Sequence, residues 1–280
     1  MAIDWQRTVA LARLDLAEVT RSRWLYFCGG LYAVMAALFV LIGLRESTVL
    51  GFTGMGRVLL SLTHALVLLL PLLALTATGQ VVNRAQDDGT LELLFSHPLS
   101  RSEYFAGITG VRYALLLLPL VALMVLVALL GRALFGSAVP WSFLVRSLAA
   151  CAGLLWAYTG LGLAVSVLVR NQAKAVMLLL ALWVTGVVLL DFALIGLMLQ
   201  WRLNAPTVFV LAALNPVEAA RLALLSAAEP SLSTLGPVGF YLANRLGAGW
   251  LLVAGVGWPV LVGLAAWIVA RERFVREDLV

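Results

Sequence analysis

The sequence predicts an all-α fold: a polytopic membrane protein with six transmembrane helices and an N-terminal interfacial helix. Of the 280 residues, 63% are hydrophobic and only 12% are charged, whereas soluble domains carry about 25% charged residues. So few charges cannot cover a soluble globule, and a disordered chain needs the opposite bias. In addition, six stretches are long and apolar enough to cross a bilayer as helices. Soluble and disordered proteins are therefore excluded.

The six predicted spans form one transmembrane domain over residues 1–280. Asp191 is the only Asp, Glu, Lys or Arg within them. A transmembrane barrel would alternate apolar and polar residues in segments of about ten, and runs such as 114–130 do not alternate. The predicted spans are residues 25–44, 58–82, 113–130, 147–169, 175–199 and 250–270.

Residues 1–24, ahead of the first span, are expected to form a helix on the membrane surface. At about 100° per residue, one sector of this helix collects apolar side chains, as in interfacial helices. A cytoplasmic helix packed on a partner is the alternative. The sector contains Trp5, Val9, Ala12, Leu16 and Val19.

The Lys and Arg residues predict an orientation, because cytoplasmic segments of membrane proteins carry the positive excess. With both termini in the cytoplasm, the inner segments hold 12 of the 19 Lys and Arg residues. We therefore expect both termini in the cytoplasm, with a cytoplasmic loop over 83–112 and a periplasmic loop over 200–249. The net charge of +5 is then a topology signal and does not imply a nucleic-acid partner.

Most chemical functions are excluded because their motifs are absent. The only lysine, Lys174, follows an alanine, so the glycine-lysine pair of a phosphate-binding loop cannot occur. Cys28 and Cys151 are isolated and are expected to be buried apolar residues. With two dispersed histidines they make no converging metal-ligand set. We expect neither a catalytic site nor a cofactor or metal in this chain.

Two polar residues lie within the predicted spans. His64 is expected to form a helix-to-helix hydrogen bond. Asp191 is either a packing contact or part of a translocation path, since buried charges in membranes are costly and often functional. No basic partner for Asp191 is evident, which disfavours a proton relay. In the fourth span, Gly160 and Gly162 each precede a small residue by four positions, a spacing that indicates close helix approach.

The loop after the second span predicts a compact helical hairpin. Gly89 should end the helix that leaves the span, and a short amphipathic helix should follow from Thr90 to Phe95. Ser100 and Glu103 have the spacing of a capping box that opens the next helix. A loop with this many charged and apolar residues in short helices favours a docking site for a soluble cytoplasmic partner over a solvated loop.

The periplasmic segment 200–249 contains a second helix start. Asn215, Pro216 and Glu218 fit the N-cap, N1 and N3 positions of a helix that continues through Arg221. A segment of 50 residues usually has a function. Gating, contact with a periplasmic partner, and a short helix resting on the bilayer surface all remain open.

The stretch from Asp88 to Arg101 resembles the coupling segment of type II ABC exporter permeases. Its pattern is acidic-Gly-Thr-Leu-Glu-x-Leu-x-x-x-Pro-x-Ser-Arg. The resemblance implies six-helix subunits of the bacterial inner membrane whose segment meets a separate ATP-binding subunit, with ATP and Mg²⁺ bound there. Four residues would make this contact: Asp87, Asp88, Glu92 and Arg101. Gln86 precedes the two aspartates where a run of glutamates is common, so which acid makes the contact stays open.

Three further motifs resemble a narrower group, the permeases of nitrous oxide reductase maturation transporters. They are Asn-Pro-x-Glu-x-x-Arg-Leu from Asn215, Gly-Phe-Thr at 51–53 and Leu-Asp-Phe at 190–192. The resemblance implies two permease copies, two ATP-binding subunits and a periplasmic β-helical protein. Together they would support assembly of the copper–sulfur centre of the reductase. It does not identify what crosses the membrane.

We therefore expect a non-enzymatic permease subunit that is driven from the cytoplasmic side. Closure of the ATP-binding dimer would push on residues 84–103 and on the N-terminal helix, and would tilt spans one, two and five to open a path between two copies. One alternative is an exporter permease for a lipid, drug or polysaccharide. A secondary transporter would show internal repeats, and the halves show none. A membrane-embedded enzyme and a purely structural anchor subunit complete the alternatives.

Overall fold

The computed structural model describes residues 13, 15–17, 23–45, 55–96, 99–136, 138–201, 205–228 and 247–276. They form helices and turns with no strand among them, which confirms the all-α class. The 51–53 motif and residues 229–246 lie outside the described part. In chain order the helices are α1 (Arg23–Arg45), α2 (Met55–Thr78), α3 (Val81–Asp87), α4 (Thr90–Phe95), α5 (Arg101–Phe135), α6 (Trp141–Leu168), α7 (Gln172–Val184), α8 (Leu190–Trp201), α9 (Ala205–Leu214), α10 (Pro216–Ala228) and α11 (Gly247–Arg276).

Five helical stretches of the described chain are long and apolar enough to span a membrane, at the positions of predicted spans two to six. They comprise α2 with α3, then α5, α6, α7 with α8, and α11. A π-helical turn, Thr185–Leu189, joins α7 to α8. At the position of the first predicted span, α1 is a helix of 23 residues.

The helices run past the predicted bounds because their polar ends stay helical. The third span begins at Arg101, in α5, and not at residue 113. The sixth continues to Arg276, in α11. The second span is interrupted earlier than predicted, at a turn formed by Gly79 and Gln80. An apolar window therefore locates each span but does not fix where its helix begins and ends.

α6 is the central helix of the described bundle and packs against α2, α5, α7, α10 and α11. A Cβ atom added at Gly160 would lie 2.3 Å from the carbonyl oxygen of Gly263 in α11. One added at Gly162 would lie 2.1 Å from Oγ1 of Thr78 in α2. Helices in lipid associate through such small-residue contacts, because hydrocarbon provides no hydrophobic force between them. The predicted close approach of the fourth span is confirmed.

α9 and α10 form a hairpin that turns inside the bundle. Nε1 of Trp258, within α11, donates to the carbonyl oxygen of Leu214 at the end of α9 (2.9 Å). α10 then runs back beside α11, where a Cβ atom at Gly255 would lie 2.4 Å from the carbonyl oxygen of Ala219. The predicted helix after Asn215 is confirmed. It does not rest on the bilayer surface, because its buried face packs against α2, α6 and α11.

We expect Gly263→Ala to destabilise the protein and Gly257→Ala, in the same helix, to leave it stable. A Cβ atom at Gly263 would lie 2.6 Å from the carbonyl oxygen of Trp156, whereas nothing lies within 4 Å at Gly257. Overpacking costs about 1–3 kcal/mol, and Gly→Ala in an open helical position changes stability by less than about 1 kcal/mol. Thermal unfolding in detergent measures both. Equal midpoints for the two variants would contradict the close contact.

Candidate functional sites at the two ends of the bundle

The α3–α4 hairpin (Val81–Phe95) forms as the sequence predicts. Gly89 takes a positive φ of 69° between the two helices, a conformation that costs glycine little. The predicted helix from Thr90 to Phe95 is confirmed. Ser100 Oγ accepts from the Glu103 backbone N–H (3.2 Å), and Glu103 Oε2 accepts from the Ser100 N–H (3.0 Å). This capping box starts α5 directly after the hairpin.

Buried hydrogen bonds join the hairpin to the adjacent end of α6. The Val82 backbone N–H donates to Ser166 Oγ (2.8 Å), and that hydroxyl donates to Asn83 Oδ1 (3.3 Å). The Asn83 amide donates to the carbonyl oxygen of Val169. These groups would be costly to leave unpaired once buried, so α3 is fixed to α6.

An aromatic cluster joins the hairpin to α5 and to the end of α11. Phe274, in α11, is fully buried. Its ring centroid lies 5.4 to 6.3 Å from the ring centroids of Phe95, Tyr104 and Phe105. Trp267 completes the cluster beside Phe105, and its Nε1 donates to Thr109 Oγ1 (3.0 Å). Sequence reasoning missed this cluster, although the spacing of seven residues in α11 was visible. The five rings belong to Phe95, Tyr104, Phe105, Trp267 and Phe274.

The four predicted partner-contact residues separate into two groups. Asp87, Asp88 and Glu92 are exposed on the hairpin, next to Leu93, whose side chain is 68% exposed. Arg101 is half-buried, donates to the carbonyl oxygen of Val275 (3.4 Å) and lies over the Phe95 ring. The exposed surface of the hairpin is therefore acidic and apolar, while Arg101 faces the end of α11.

The N-terminal segment is joined to α5 by an ion pair. Arg112 Nη2 lies 2.7 Å from Asp15 Oδ1, and both side chains are mostly buried. Burial raises the pKa of the Asp15 carboxyl, and the Arg112 charge opposes this rise. Residues 1–12, 14 and 18–22 of the predicted interfacial helix lie outside the described residues, and Leu16 is 43% exposed.

At the opposite end of the bundle, three predicted site residues meet. Arg221 Nη1 lies 2.6 Å from Asp191 Oδ2 and also donates to Glu218 Oε1. The side chains of all three are between 20% and 27% exposed. The expectation that Asp191 has no basic partner is wrong. Its partner lies 30 residues later in the chain, and only the inward turn of the α9–α10 hairpin brings it near.

Asn215 holds the start of α10 against the fifth span. Its Oδ1 accepts from the Val217 backbone N–H (3.1 Å), as an N-cap does. Its amide donates to the carbonyl oxygen of Gly186 in the π-helical turn (2.6 Å). Asn215 is buried, so α10 is tied to the fifth span at Gly186 and again at Asp191.

Glu218 shares Arg221 with Asp191, which affects its ionisation. Burial raises the pKa of the Glu218 carboxyl to about 7; the Arg221 charge opposes the rise, while the charge and hydrogen bond of Asp191 add to it. One guanidinium can neutralise only one of two neighbouring carboxylates, which favours the protonated form of the buried Glu218 carboxyl. We therefore expect the Glu218–Arg221 contact in α10 to change with pH near neutrality.

The remaining candidates lie apart from both sites. His64 Nδ1 donates to the carbonyl oxygen of Leu60 in its own helix (2.8 Å), and among the described residues His64 forms no hydrogen bond to another helix. Cys28 and Cys151 are buried free thiols. Within the described ranges, no group of three His, Cys, Asp or Glu residues could hold a metal ion.

Comparison with known proteins agrees with this architecture. Residues 9–279 match the family described as ABC-2 family transporter protein, and the chain belongs to that family. It is thus a transmembrane permease subunit of an ABC transporter, and the family implies association with ATP-binding subunits. A relative, the probable ABC transporter permease protein NosY of Stutzerimonas stutzeri, is 30% identical over 265 residues, 92% of each chain. NosY of Pseudomonas aeruginosa is 28% identical over 271 residues, 91% of this chain and 93% of that protein.

We expect the protein to be more stable at pH 5.5 than at pH 8, and Glu218→Gln to reduce this difference. The folded state holds the Glu218 proton up to about pH 7, whereas the unfolded carboxyl loses it near 4.5. Stability therefore falls as pH rises between these values. Thermal midpoints in lipid nanodiscs across this range measure the slope. Glu272→Gln, at an exposed position, is the control and should keep the wild-type slope; an unchanged slope in Glu218→Gln contradicts the assignment.

Proposed function

We propose that this chain is the membrane-spanning subunit of an ATP-driven transporter, and that the α3–α4 hairpin binds a separate ATP-binding subunit. The observation that carries the proposal is the contrast within the hairpin. Buried hydrogen bonds fix the hairpin to α6, and the aromatic cluster fixes it to α11, while the side chains of Asp87, Asp88 and Glu92 are exposed. A chain without a phosphate-binding loop needs its ATP and Mg²⁺ in another subunit.

The proposed orientation places the hairpin end in the cytoplasm of a bacterium. The excess of Lys and Arg in the inner segments supports it. Both termini are then cytoplasmic, the protein lies in the inner membrane, and the α9–α10 hairpin enters from the periplasmic side.

In the proposed mechanism, two copies of this chain work with two ATP-binding subunits. Closure of the ATP-binding dimer pushes on residues 84–103 and on the N-terminal segment, which the Asp15–Arg112 pair joins to α5. The buried contacts of the hairpin pass this push to α6 and α11. The first, second and fifth spans then tilt, and a path between the two copies opens outward.

The periplasmic gate in this proposal is the Asp191–Glu218–Arg221 cluster. It holds α10 against α8, so opening next to the fifth span requires these side chains to move. Asn215 supports the gate from a buried position and does not present a surface to a periplasmic partner.

We assign the transporter to maturation of nitrous oxide reductase, where it supports assembly of the copper–sulfur centre together with a periplasmic β-helical protein. The likeness to the NosY permeases over nine-tenths of the chain supports this assignment. The sequence motifs around Asp191 and Asn215 support it as well.

Reversing the charge of the hairpin should abolish binding of the ATP-binding subunit. The double variant Asp88→Arg, Glu92→Arg places like charges against the basic surface that the exposed acids would meet, which costs several kcal/mol and weakens binding by more than about 100-fold. Co-purification of the ATP-binding subunit measures it. Glu272→Arg, an exposed acid on α11, is the matched control and should bind normally. Equal binding by the double variant would show that the partner docks elsewhere.

The assignment to nitrous oxide reductase is tested by complementation. In a nitrous oxide-respiring bacterium without its own maturation permease, we expect this chain to restore the visible absorption of the copper–sulfur centre. The hairpin double variant should fail and Glu272→Arg should succeed. Failure of the wild-type chain at a normal membrane level, with ATP-binding subunits still bound, would reject this substrate pathway while leaving the ATP-driven permease intact.

A further inference from the structure

A cavity of about 270 Å³ lies between the α9–α10 hairpin and α11. From α11 it is lined by Leu251, Ala254 and Trp258, and from the hairpin by residues that include Leu214 and Leu222. Small residues leave the space open. Gly255 cannot be enlarged, because its backbone approaches Ala219 too closely, so packing among the described residues of α9, α10 and α11 does not fill the cavity.

The chemistry of the lining selects an apolar occupant. Among the described residues of the lining, the indole of Trp258 carries the only polar side-chain group, and it already donates to the carbonyl oxygen of Leu214 (2.9 Å). A buried water needs two to four polar partners, and apolar cavities instead stay dry or take hydrocarbon ligands.

The position of the cavity indicates where the hydrocarbon comes from. At a rise of about 1.5 Å per residue, the stretch from Leu251 to Trp258 lies about 6 to 17 Å from the first residue of α11. The stretch therefore belongs to the first half of a helix of 30 residues that is long and apolar enough to cross the membrane. On the lining, Val210 and Leu214 are each 56% exposed and Ala254 is exposed, so the cavity opens sideways, toward the acyl chains.

We propose that this cavity binds one acyl chain of a phospholipid from the leaflet at this end of the bundle. The chain lies between the α9–α10 hairpin and α11 and supplies the apolar contacts that their side chains do not make. The volume of about 270 Å³ lies just below the roughly 300–1,000 Å³ of pockets for drug-sized ligands, so the site takes a segment of one acyl chain. The lipid is thus a structural ligand next to the gate.

Photoreactive lipid tests this site. The protein is reconstituted in nanodiscs of phosphatidylcholine that carries a diazirine on the acyl chain, illuminated, digested and analysed by mass spectrometry. We expect labelling of residues 210–222 and 251–258 in the wild-type chain. Ala254→Phe, which fills the cavity from α11, should lose this labelling while keeping that of the exposed Leu261.

Ala265→Phe is the matched control. Ala265 is also exposed in α11 and lies eleven residues further on, within about 20° of the same helix face, but outside the cavity. It should keep the wild-type labelling. If Ala254→Phe does not fold, Ala213→Leu fills the same cavity from the hairpin side. Unchanged labelling in the filled variant would overturn the proposal, as would crosslinking of Leu214→Cys to a second copy in place of lipid.

Discussion

The architecture depends on the close contact of α6 with α2 and α11. Gly160 meets the backbone of Gly263, and Gly162 meets Thr78, at distances that admit no further side-chain atom. In lipid this packing must supply the attraction between helices, because burial from water does not. The α3–α4 hairpin is built on α6 and α11, and α10 packs on the same two helices. Both candidate sites therefore rest on one pair of helices.

This shared support gives the proposed mechanism a physical path. At one end, Ser166 and Phe274 hold the hairpin on α6 and α11. At the other, α10 contacts α11 at Gly255 and reaches the fifth span through Arg221. A closely packed pair of helices has low compressibility, so it transmits a displacement and does not absorb it by local compression. In the proposed mechanism, a push on the hairpin would therefore be delivered to the contact between α10 and α8.

The local features of the fold could be predicted from sequence, because each depends on residues close together in the chain. Gly89, the Ser100 capping box and the Asn215 N-cap all act within a few positions. The pairing of Arg221 with Asp191 could not be predicted, since it requires the hairpin to turn inward. The bond from Asn215 to Gly186 depends on the same turn. The positions of the helices along the chain could therefore be predicted from sequence. The contacts between residues of distant helices could not.

The central claim is that ATP bound by partner subunits moves the gate through the hairpin. The most direct measurement attaches a fluorophore to the cysteine introduced by Phe192→Cys. This position is exposed and lies beside Asp191 in the chain. The native Cys28 and Cys151 are buried and should not react with the label. In the reconstituted complex, ATP should change the fluorescence, and the change should disappear in the Asp88→Arg, Glu92→Arg variant. A change on adding ATP to this chain alone, or no change while the complex hydrolyses ATP, would contradict the account.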